Sequence, residues 1–301
     1  MKKIFWLTLL AAFGLTGAAQ TTNNTLLWRI TGKNTTKPSY LFGTIHMICA
    51  TDIQLSDSLK IAIHNADKVY LELDMDNMFE MLGALGKMKM RNDTTLSDLL
   101  TKEEYQKVKE YFNKKGGLIP FSMLETYKPM LAASTLMEQN MDCDNMIVME
   151  QLVMEEAKKS SKEIKGLESV NFQMSIFDSI PYTLQAKQLL KYVEDEGKGE
   201  SSGSKELEAL TKAYRNQELK KLEDLINSDQ SLGGFNDILL YNRNANWVKK
   251  LQTLLSSGSI VIAVGAGHLP GEKGVINLLR KAGYKVEPVK NEMIRKRMKE
   301  I

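Results

Sequence analysis

The sequence predicts an α/β protein: a mixed, mainly parallel central sheet flanked by helices, with a helical insertion acting as a cap. Three observations predict it. Strand-like and helical segments alternate along the 301 residues. The strands expected to be buried are continuous apolar runs, as in sheets covered on both faces. The helical stretch from 75 to about 160 is too long for a simple crossover and implies a subdomain.

The elements follow in order. "LLWRITG" (26–32) and "SYLFGTI" (39–45) flank the polar turn "KNTTKP" and read as a hairpin, which makes the sheet mixed. "SDSLKIAIHNAD" has a capping start and helical spacing. "KVYLELD" (68–74) is β-branched and aromatic and reads as a buried strand. The pattern is then helical throughout to about 160. It includes "TKEEYQKVKEYFNKKGG", with acids first, lysines last and a closing glycine pair. "KEIKGLES" returns to a short strand, and three helical stretches fill 170–256, broken by the Gly/Ser-rich loop "EDEGKGESSGSKE". "SIVIAVGA" is the most apolar strand, "GEKGVINLLRKAGY" is a helix and "KVEPV" is a last strand. The tail 291–301 reads as a solvated basic helix. Methionines concentrate in the cap, where helical spacing favours core packing over a ligand groove.

The first nineteen residues stand apart. Lys2 and Lys3, the apolar "IFWLTLLAAFGL" and the small-residue "TGAAQ" form a secretory signal pattern with cleavage expected after Ala19. The apolar stretch is shorter than the ~20 residues that span a bilayer, so no membrane span is expected after cleavage, and the mature domain would cover 20–290. An exported, periplasmic or extracellular protein is expected. The formal charge is +3, and two of those charges are Lys2 and Lys3, leaving no basic field for nucleic acid. Cys49 and Cys143 would enter an oxidising compartment, where pairing and separate burial are both open because spacing does not decide it.

Candidate chemistry sits at strand ends, where open α/β sheets bind ligands. The chain has three histidines, and two of them, His46 and His268, stand three residues after Gly43 and Gly265, each closing a strand-like run. Each glycine is expected to let the backbone turn on leaving the sheet. Glu72 ends "VYLELD" and Glu168 ends "IKGLES". A carboxylate such as Glu72 among apolar neighbours demands a cation or donor. Two imidazoles with one or two carboxylates suit a divalent transition metal, which would make hydroxide available near neutral pH, with a free carboxylate as base. The metal ligands expected are therefore His46, His268, Glu72 and Glu168. Arg243, with Asn244 beside it, could stabilise developing charge, although helix position alone favours an exposed arginine. His64 lies within a helix and reads as surface. "GAGHLPG" fits neither a dinucleotide fingerprint nor a P-loop.

At these residues the chain resembles a known family. "SYLFGTIHM", "VYLELD", "KGLES", "LLYNRNANWV" and "VIAVGAGHLPGEKGVINLLRKAGYKVEPV" look like the TraB/GumN family, which includes the Tiki proteins, from about Leu26 to Val289. The closing block is the most specific part. The resemblance implies a fold related to erythromycin esterases and haem-binding ChaN proteins, with two Gly-x-x-His motifs and a strand-end glutamate as active centre: His46, His268 and Glu72 here. It also implies a metal-dependent peptidase using manganese or cobalt, with zinc the other candidate, acting on a peptide or small-molecule substrate. "QNMDCDNMI" stands where many relatives have a Gly-Leu/Val-Asp stretch; Asp142 is kept, a glycine is replaced, and no function is carried onto it. Two competing readings remain: a non-enzymatic protein that binds a peptide or haem-like ligand, and a metal-free His/Glu hydrolase of the esterase type.

Overall fold

In the computed structural model the described residues are 24–51, 53–116, 119–139, 143, 145–197, 202–228 and 233–294. The signal segment lies outside them, as do Asp142 and the end of the basic tail. Strands β1 (Leu27–Thr31), β2 (Ser39–Thr44), β4 (Lys68–Leu73), β6 (Glu163–Glu168), β7 (Ile260–Gly265) and β8 (Lys285–Pro288) form one six-stranded sheet in the order β6-β4-β7-β2-β1-β8. β6, β4, β7 and β2 are parallel; β1 runs antiparallel to both β2 and β8. β3 (Ile48–Cys49) and β5 (Met146–Ile147) form a separate antiparallel pair.

The central strand β7 is covered on both faces, and five of its six residues are buried, which is why its sequence is apolar without alternation. The parallel strands bring their carboxyl ends to one edge. In register, Thr44 faces Gly265 and Leu73 faces Glu168.

Helix Lys102–Lys115 matches its sequence pattern closely. Thr101 and Glu104 form a capping box, and Gly116 ends the helix at φ 67°. Elsewhere the expected helical run from 75 to about 160 is broken. It contains helices Met78–Ala84, Lys102–Lys115, Phe121–Leu124, Pro129–Gln139 and Met149–Lys159, with β5 among them. Pro120 and Pro129 punctuate it, and β5 forms because β3 offers it a partner, which local spacing does not reveal. A second core joins cap residues such as Leu96, Val108, Phe112 and Leu136 to Ala186, Leu189 and Val193 of helix Tyr182–Gly197. The cap is thus anchored by a helix well beyond 160. Its methionines divide, with Met90 and Met149 buried and Met78 and Met123 exposed.

Between 170 and 257 there are more helices than the three expected: Val170–Asp178, Tyr182–Gly197, Ser202–Arg215, Leu219–Ser228 and Asn242–Ser257, with a π-helical turn at Asp237–Tyr241. Part of the expected Gly/Ser loop belongs to two of these helices. The basic tail is not helical through 294: Met293 is buried, and its carbonyl accepts from the Gln54 amide at 2.8 Å. His64 is exposed, as its helical position suggests.

Cys49 and Cys143 form a disulfide with Cα atoms 6.0 Å apart. It fastens β3 to the segment entering β5. Closing a loop between residues 94 apart restricts the unfolded chain by about 4–5 kcal/mol on the chain-entropy account. Reduction, or the C49S/C143S double variant, is therefore expected to lower the urea midpoint by a corresponding amount. An unchanged midpoint would mean that the bridge adds no stability.

Candidate functional site

The carboxyl edge of the sheet holds a buried polar cluster built on Arg243, which is only 7% exposed rather than the solvated arginine its helix position suggests. Helix Asn242–Ser257 follows directly on the π-helical turn, a widened geometry that recurs at functional sites. Arg243 Nη1 donates to Leu239 O at 2.9 Å and faces His268 Nε2 at 3.2 Å. Its Nη2 donates to Glu72 Oε2 at 2.5 Å and also to Glu168 Oε1. Its Nε donates to Glu168 Oε1 at 3.0 Å. All five guanidinium donors are thereby directed at the cluster. One turn on, Trp247 donates from Nε1 to Glu168 Oε2 at 3.0 Å, and its ring lies under both the Arg243 guanidinium and the His268 imidazole. Gln173 reaches Glu72 and Glu168 from helix Val170–Asp178.

The cation demanded by Glu72 is thus Arg243. The Gly265 amide also donates to Glu72 Oε1 at 2.8 Å. A Cβ at Gly265 would lie 3.2 Å from that oxygen, and one at Gly43 would lie 3.2 Å from the Ala266 Cα. Neither glycine has a positive φ. Close approach of neighbouring chain, and not a tight turn as expected, is what these two positions require.

His268 is buried, and its tautomer follows from its neighbours. Asn244 Nδ2 donates to Lys273 O at 2.9 Å and is 3.4 Å from His268 O. That orientation turns Asn244 Oδ1 toward His268 Nδ1, 2.6 Å away. Nδ1 therefore carries the proton and Nε2 keeps its lone pair. Burial, aided by Arg243 and opposed by Glu72, pushes the His268 pKa down to about 4, so the ring is neutral at pH 7. For Glu72, burial acts upward, but the His268 ring where acid protonates it, the Arg243 charge and the Gly265 amide outweigh it and hold the carboxyl below its ordinary range. Burial dominates at Glu168 and raises it, despite Arg243.

His46 stands differently. It follows β2, the strand next to β7, but its side chain is 70% exposed, and its Nδ1 lies 3.8 Å from Glu150 Oε2 on helix Met149–Lys159. Glu72, Glu168, Arg243, Asn244 and His268 thus form one network, while His46 is paired beside it. Among the described residues no three His, Cys, Asp or Glu side chains form a group arranged to hold a metal ion. The chemistry of the donors nonetheless suits a divalent ion. His268 Nε2 keeps a lone pair, which faces Arg243 Nη1 and lies 3.7 Å from the anionic Glu72 Oε1, two carboxylates share one guanidinium, and Glu150 Oε2 is buried without a hydrogen-bond partner among the described residues.

Three participants were not singled out from sequence. Trp247 could have been: in "RNANW" it lies four residues after Arg243, on the same helix face. Gln173 lies five residues beyond Glu168 in the following helix. Glu150 carries no local signal, since the β3–β5 pairing brings its helix to His46.

Comparison with known proteins gives the chain its relatives. The model of the TraB/PrgY/gumN family matches residues 26–288. "Metalloprotease TIKI2" of Danio rerio is 24% identical over 94% of this chain and 67% of its own length. "Metalloprotease TIKI1" of Homo sapiens is 22% identical over 88% of this chain and 62% of its own length. The chain therefore spans about two thirds of the length of these relatives. "Uncharacterized protein YbaP" of Shigella flexneri is 23% identical over 80% of this chain and 88% of its own length. No solved structure matches. With the family model covering nearly the whole described sheet and both Gly-x-x-His motifs, the chain belongs to the TraB/PrgY/gumN family.

Proposed function

We propose that this chain is an exported, metal-dependent hydrolase that cleaves peptide bonds. The observation that carries the reading is the neutral His268 Nε2 facing the ionised Glu72 at the sheet edge, in a chain similar over most of its length to proteins named metalloproteases. Export is supported by the signal pattern and the Cys49–Cys143 bridge. Among the described residues no helix is long and apolar enough to cross a membrane.

In this reading His46, His268 and Glu72 would hold the ion, with manganese or cobalt the expected metal. When bound, such an ion polarises a carbonyl and lowers the pKa of water. The rest falls to the chain. Asn244 holds the proton on His268 Nδ1, so that Nε2 keeps the lone pair. Arg243 keeps Glu72 ionised, a state suited to holding a cation more than to abstracting a proton. Glu168 and Trp247 fix Arg243 and leave Glu168 a positioning role. A metal-free hydrolase is the second reading, favoured because Arg243 already balances the cluster without a further ion; stoichiometric metal in protein purified without chelator would exclude it.

Peptide hydrolysis should appear with Mn²⁺ or Co²⁺ and be lost in both H46A and H268A; activity persisting in both variants would overturn the mechanism. R243M, which strands the enclosed Glu168 carboxylate and the partly buried Glu72, should cost roughly 3–5 kcal/mol in denaturant unfolding. Stability should also depend on pH. The folded protein leaves His268 unprotonated down to about pH 4, whereas the unfolded chain takes up that proton near 6.5. The unfolded state binds more protons between those values, so stability falls as pH drops through that window, by roughly 3 kcal/mol. The depressed Glu72 acts in the same direction. Urea unfolding at pH 7 and at the acid end of the window, on wild type and H268Q, checks this; equal slopes with pH would refute the assignment to His268.

A further inference from the structure

We infer that Glu150 is the positioning residue of His46: it accepts a hydrogen bond from Nδ1–H and so leaves the lone pair on Nε2. The inference rests on the reading of His46 as a metal ligand. Four observations support it.

Glu150 is bound on one side only. Its Oε1 accepts from the Thr44 hydroxyl at 2.6 Å, while Oε2 is buried with no hydrogen-bond partner among the described residues. A carboxylate oxygen withdrawn from water needs a donor. His46 Nδ1 is 3.8 Å from that oxygen, an ion-pair separation beyond hydrogen-bond length.

The second observation is the parallel with the other Gly-x-x-His motif. His268 has Nδ1 held by Asn244 Oδ1 at 2.6 Å, which commits Nε2 to be the acceptor. Glu150 would do for His46 what Asn244 does for His268, with a charged acceptor in place of a neutral one. Ligating histidines usually have their second nitrogen held in this way, which sets the tautomer and strengthens the ligand.

Third, the fold fastens these two side chains to each other. β3 begins two residues after His46 and β5 ends three residues before Glu150, and the two strands are paired through Ile48 and Ile147. The Cys49–Cys143 bridge closes the same junction. Fourth, the carboxyl end of β2 is also held by Tyr214, whose buried hydroxyl donates to Gly43 O at 3.0 Å. Thr44, between Gly43 and His46, also bonds Glu150, so the strand end and the helix that carry the two side chains are joined directly.

With three histidines in the chain, imidazole ¹⁵N spectra of metal-free protein above neutral pH resolve the tautomer of each. Wild type is expected to hold His46 as the Nδ1–H form. E150L should shift His46 to a mixture dominated by Nε2–H, leave the His268 signals unchanged, and weaken Mn²⁺ binding by calorimetry about ten- to a hundredfold. E150Q, which keeps an acceptor but not the charge, should restore part of both, and it decides the matter if E150L does not fold. An unchanged His46 tautomer would overturn the inference, and so would a changed tautomer with undiminished Mn²⁺ affinity. If the wild-type protein itself binds no Mn²⁺, the metal reading falls, while the tautomer comparison still decides whether Glu150 holds His46.

Discussion

The sheet edge depends on one guanidinium. Arg243 joins the ends of β4 and β6 through Glu72 and Glu168, and joins both to the loop after β7 through His268. Without it, two carboxylates would be buried side by side, each repelling the other and each deprived of water. A planar, permanently charged group with five donors can satisfy both at once; an ammonium could not match that geometry. The neighbours complete the arrangement: Trp247 supplies a ring face and an N–H, and Leu239 supplies a carbonyl from the π-helical turn.

This network sets the protonation states available for chemistry. Arg243 favours an ionised Glu72 and a neutral His268, and Asn244 chooses which nitrogen of that imidazole is bare. Near neutral pH the site therefore holds an anionic oxygen and an imidazole lone pair, both turned to the same guanidinium. His46 belongs to a second, more open layer. It is exposed, it leaves the strand next to β7, and its partner Glu150 arrives on a helix held by the β3–β5 ladder and the disulfide. One wall of the site is buried and densely hydrogen-bonded. The other carries an exposed imidazole.

The cap is built to a different rule. Its core is closed by helix Tyr182–Gly197, so two segments separated by β6 fold into one unit. That arrangement sets helix Val170–Asp178 between cap and sheet, where Gln173 touches both carboxylates of the cluster. Some cap methionines fill the core and others face solvent; regular helical spacing in the sequence does not separate the two.

Local physics determined much of this protein by itself. The hairpin, the strands ending at Glu72 and Glu168, the apolar β7 and helix Lys102–Lys115 with its caps are all legible, because periodicity, β-branched runs and capping residues act over a few positions. The placing of Glu72, Glu168 and His268 at one edge also followed, since parallel strands carry their ends to the same side. Tertiary structure decided the rest. The burial of Arg243, the role of Gly43 and Gly265 in close approach, the breaking of the cap helices around β5, and the meeting of Glu150 with His46 all depend on groups distant in sequence. No local pattern encodes such partners. Whether a side chain is solvated or buried, and what it must therefore bond to, is settled only when the layers pack.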